Sequence, residues 1–63
     1  SDINRQLLGA RVEVLVEGFQ RDKWRGRTRT NKLVFFEDNR ECTGNLTDVD
    51  ITWAGPWFML GKV

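Results

Sequence analysis

Histidine is absent from this 63-residue chain, and cysteine occurs once, at Cys42. With no histidine and a single thiol, the common nucleophile–base pairs have no members here. Catalysis by this chain alone is therefore not expected, and no catalytic residue is assigned. A lone cysteine makes no internal disulfide and cannot by itself hold a metal ion or cluster. We expect Cys42 to be inert, no metal or cofactor to be held by this chain, and the setting to be reducing and cytoplasmic. No run approaches the roughly 20 apolar residues of a membrane span, so no membrane partner is expected. The first residues are polar and no apolar h-region follows them. A first residue Ser in place of Met suggests a segment of something longer.

What is present fits one small soluble domain. A hydrophobic fraction of 40% and a charged fraction of 30% are ordinary for a globular chain. A chain this short buries only about 60% of its unfolded surface, so its core has to close tightly. The net charge of +1 conceals a segregation. Residues 18–32 carry six bases against one acid, net +5, whereas residues 33–52 carry five acids against one base, net −4. A bipolar surface of this kind steers an anionic partner to one side even when the total is near zero.

Residues 1–9 read as a linker or helical end from an upstream domain, with Ile3, Leu7 and Leu8 at helical spacing and Gly9 as the stop. From residue 10 onward the pattern is that of strands. Val12, Val14 and Val16 alternate with Arg11, Glu13 and Glu17 over residues 10–17. A polar loop is expected at 18–23, a strand at 24–30, a continuous apolar strand at 33–37, an alternating strand at 46–53 and a last strand at 57–63. In the fourth of these strands, Val49, Ile51 and Trp53 share a face opposite Asp48, Asp50 and Thr52. Five short strands with close turn signals predict an all-β fold, specifically a small five-stranded antiparallel β-barrel, OB-like, over residues 10–63. Closure removes the exposed edges that an open sheet would carry.

The chemistry concentrates at 24–36. Arg25, Arg27 and Arg29 occupy alternate positions of a predicted strand, so they share a face at about 6.6 Å spacing. A guanidinium is always charged and offers a planar fork of donors, which suits phosphate. The bland reading is a solvated face paired with Glu or Asp across the strands, but three like charges on one face, joined by Arg21, Lys23 and Lys32, repel one another. Asn31 is either a turn residue or a nucleic-acid contact. Alternation puts Val34 and Phe36 inside and Leu33 and Phe35 outside, next to the arginines. An outward Phe35 is a platform for an unpaired base, Phe19 is a weaker second candidate, and Trp24 reads as core or rim.

Gly26-Arg27-Thr28, Asn31, Val34 and Phe36, followed by Gly44, Val49, Ile51-Thr52, Ala54 and Gly61, resemble a TRAM domain over nearly the whole chain. The run Arg-Thr-Arg-Thr-Asn-Lys-Leu-Val-Phe-Phe is most similar to the C-terminal TRAM domain of radical-SAM tRNA methylthiotransferases. The resemblance implies an RNA-binding accessory barrel that helps place the tRNA anticodon stem-loop. A separate upstream catalytic domain, using iron–sulfur clusters and S-adenosylmethionine, would then methylthiolate the adenosine beside the anticodon. Ribosomal-protein methylthiotransferases and some RNA uracil methyltransferases share such a domain, so the parent stays open, and a protein-docking module is the alternative function. The chain departs from the family pattern at Phe58-Met59-Leu60-Gly61 and in its aromatic Trp53 and Trp57. The last strand is therefore left without an assigned RNA role.

Overall fold

Val14 and Val16, at 0% and 1% exposure, set the inner face of β1 (Arg11–Gln20). The computed structural model describes residues 5–63. The remaining strands are β2 (Lys23–Thr28), β3 (Leu33–Glu37), β4 (Leu46–Ala54) and β5 (Met59–Lys62). They close into a barrel in the order β1-β2-β3-β5-β4. The expected helical end falls partly outside the described residues. Within them, residues 6–9 form a turn in which Leu8 N donates to Arg5 O at 3.1 Å.

The expectation of a purely antiparallel barrel is corrected at one seam. β3 and β5 pair in parallel, with Val34 beside Met59 and Phe35 beside Leu60. β5 returns between β3 and β4 instead of extending the meander, so the chain leaves β3 through residues 38–45 and reaches β4 on the far side of β1. The other four seams are antiparallel.

The expected loop at 18–23 shrinks to a two-residue turn, because β1 runs on to Gln20 and pairs there with Lys23. Arg21 (φ 53°) and Asp22 (φ 67°) both take left-handed backbone, the conformation of a type I′ hairpin turn. β1 continues past Glu17 through a bulge between Val16 and Gly18. A bulge puts two residues opposite one and reverses the alternation beyond it. Phe19 thus turns to the core side against Trp24, their rings 4.8 Å apart edge to face. β4 carries a second bulge between Ile51 and Trp53. It moves Trp53 off the face of Val49 and Ile51, where it was expected, and onto the outer surface at 45% exposure.

The core holds Val14, Val16, Trp24, Val34, Phe36, Cys42, Val49, Ile51 and Met59, with Leu7, Val12 and Ala54 packed against it. Gly26 faces inward, where a Cβ would come within 2.5 Å of both Leu15 O and Val14 Cγ1. The barrel is narrow enough there that only glycine fits.

Candidate nucleic-acid interface

β2 turns Trp24 and Gly26 inward and presents Lys23, Arg25 and Arg27 outward. Arg29 lies one residue beyond the end of β2, in the turn that Thr28 N closes by donating to Lys32 O at 3.0 Å. Its guanidinium still returns to the same side, 3.5 Å from Glu13. The three arginines therefore share one face. Asn31 takes left-handed backbone (φ 67°) and donates its N–H to Thr28 O at 2.9 Å, so it shapes that turn. Lys32 follows it, its own N–H reaching Thr28 Oγ1.

Acids of β1 and β3 lie alongside. Arg27 Nε stands 3.6 Å from Glu17 Oε1, and Lys23 Nζ donates to Glu37 Oε2 at 2.7 Å, which holds the Glu37 carboxyl below its ordinary range. Charges that are segregated along the chain are thus partly interleaved in space. Exposed pairs of this kind contribute little to stability, so an incoming phosphate can displace the carboxylate. Arg25 has no carboxylate partner among the described residues. Its Nη1 donates to Gln20 Oε1 at 3.4 Å, and its buried Nε–H has no acceptor among the described residues. Arg21, exposed on the hairpin turn, and Lys32 likewise have no ion pair among the described residues.

Phe35 faces outward, as alternation predicts, between Arg25 on β2 and Leu60 on β5. It is half-buried because Phe58 packs edge-on against it at 5.5 Å, and Phe58 in turn lies 5.3 Å from Trp53. This outer row of rings was not visible in the sequence, since the parallel seam and the Thr52 bulge create it. Phe19, the second aromatic candidate, caps Trp24 at 57% exposure. Trp24 itself is buried and donates its indole N–H to Asp38 O at 2.9 Å.

The loop 38–45 is a different surface. Arg40 grips the Asp38 carboxylate at 2.6 Å, and its hydrogen bonds lower that carboxyl from 3.8 to about 2. Cys42 is buried below it, and burial first, then the Asp38 charge, push its thiol upward. A protonated, covered thiol is a poor nucleophile. Among the described residues, no group of three or more His, Cys, Asp or Glu is placed to hold a metal ion.

Residues 5–63 match the model of the TRAM domain. The chain belongs to the TRAM-domain family. This TRAM domain is 55% identical over 58 residues to a tRNA-2-methylthio-N(6)-dimethylallyladenosine synthase of Roseiflexus sp. (strain RS-1), a match covering 92% of the chain and 12% of that protein. It is 47% identical over 60 residues to the synthase of that name in Herpetosiphon aurantiacus, covering 95% of the chain and 14% of that protein. With the counterpart in Chloroflexus aurantiacus it shares 52% identity over 56 residues, 89% of the chain and 12% of that protein. The domain thus spans about an eighth of the length of these relatives.

Proposed function

We propose that this TRAM domain binds RNA as an accessory module of a tRNA-modifying enzyme in the cytoplasm. It would present the tRNA anticodon stem-loop to a separate radical-SAM domain that methylthiolates the adenosine beside the anticodon. One observation carries the reading. Arg21, Lys23, Arg25, Arg27, Arg29 and Lys32 project from β2 and the two turns that flank it, in a domain whose relatives bear the name of a tRNA-modifying synthase. Cations so arranged neutralise backbone phosphates and release counterions, and RNA loops expose the bases that such a surface can reach.

Iron–sulfur clusters are held by several thiolates. One buried cysteine and no histidine do not fit such a group, so the chemistry attributed to the parent enzyme is assigned to another part of it. The docking alternative, including a ribosomal-protein methylthiotransferase parent, has one observation in its favour. Trp53 and Trp57 are 45% and 83% exposed, more apolar surface than phosphate contact requires.

The test is a titration with a tRNA anticodon stem-loop at several salt concentrations, with a blunt duplex as control. Saturable, salt-sensitive binding that prefers the stem-loop is expected. No binding at low salt would overturn the RNA reading in favour of docking.

A further inference from the structure

We propose that the outer-face depression below the β1–β2 turn is a pocket for one unstacked nucleobase of the bound RNA. The inference rests on the RNA-binding reading and gives it a location. The depression holds about 390 Å³ and is lined by Gln20, Arg21, Lys23, Phe35, Phe58 and Leu60. That volume lies within the range of small-ligand sites, about 300–1,000 Å³.

Its apolar part is preset. The β3–β5 register puts Phe35 beside Leu60, and Phe58 is wedged between Phe35 and Trp53. Gly55 N–H donates to Phe58 O at 3.0 Å and fixes the chain there. The Trp53 ring lies over Gly55 so closely that a Cβ would come 2.3 Å from it. Arg25, opposite Phe35, donates to Gln20 and is not among the residues that line the depression.

The rim is cationic. Lys23 is shared with Glu37, but among the described residues Arg21 has no ion pair and no carboxylate lines the depression. The neighbouring depression at Arg27 and Arg29 differs, since Glu13 and Glu17 line it. An aromatic slot with a cation at its mouth and the Gln20 amide within it matches a base with its attached phosphate. The ring would be held by stacking and apolar contact, the phosphate by Arg21, and a base edge by the amide NH2 of Gln20, whose Oε1 accepts from Arg25.

The test compares single-stranded hexa-adenosine with an abasic ribose-phosphate oligomer of equal length. The unaltered chain is expected to bind the base-bearing strand about tenfold tighter. Phe58→Leu should erase that difference without changing the salt slope, whereas Arg21→Ala should weaken both strands and lower the slope. Adenosine 5′-monophosphate added to the unaltered chain should shift the ring protons of Phe35 and Phe58 and the methyls of Leu60, a readout independent of any variant's folding. Equal affinity for both strands, or shifts confined to other residues, would overturn the pocket. If the anticodon stem-loop still binds with salt dependence in that case, the RNA-binding reading survives alone. If neither the stem-loop nor the oligomers bind, both fall.

Discussion

Arg27 and Arg29 each face a glutamate of β1, at 3.6 and 3.5 Å, so phosphate binding at those residues has to displace a carboxylate. Glu17→Gln removes one competitor from an exposed pair whose loss costs under about 1 kcal/mol. It should raise affinity for the anticodon stem-loop severalfold at low salt and steepen the salt slope by up to about 0.7, the value for one added contact on a single strand. An unchanged slope would mean that Arg27 does not reach RNA. In the loop that follows β3, Asp38 supplies a pH lever. Its carboxyl is depressed in the folded chain, from 3.8 to about 2, by its hydrogen bonds with Arg40. Below 3.8 the unfolded chain binds the proton first, so this stabilisation is fully present above that value and drains away as pH falls toward 2. The melting temperature should drop across that window, and Asp38→Asn should flatten the drop. Superimposable pH profiles for the two proteins would count against the Asp38–Arg40 pair as the acid-sensitive contact.

The strands were legible because their alternation is strict over short runs. Val12, Val14 and Val16 marked β1, and the continuous Leu33–Glu37 run marked β3 with its observed ends. The two bulges were not legible, since an extra residue leaves no compositional trace. Each inverts the alternation beyond it, which is why Phe19 lies on the core side and Trp53 lies outside. The hairpin turn was hidden for a related reason. Arg-Asp is not a typical type I′ sequence, because left-handed backbone favours Gly and Asn. Replacing Arg21→Asn together with Asp22→Gly should therefore stabilise the hairpin by about 1 kcal/mol, while losing the cation at the pocket mouth. Thermal melting and RNA titration of the same variant should move in opposite directions. A variant that binds RNA as well as the parent would show that Arg21 serves only the turn.

At the scale of the whole molecule, β5 is the closing element. Only four residues long, it pairs with β3 on one side and β4 on the other, and it brings fully buried Met59 into the core. Deleting residues 57–63 would leave the edges of β3 and β4 unpaired and uncover Val34, Phe36 and Ile51. Such a chain should show no cooperative thermal transition by circular dichroism. A retained sharp transition would mean that closure is not what holds the barrel. The sequence by itself determined the all-β class, the inward set of valines, Val34 and Phe36, the shared face of the three arginines and the outward face of Phe35. These depend on residue type and two-residue periodicity, which are local. Only the tertiary structure decided that β3 and β5 run parallel, that glutamates of β1 lie beside the arginines, and that Phe58 and Leu60 join Phe35 under the Arg21 turn. Those placements follow from strand order, register and bulges, which are set when distant segments pair to close the core.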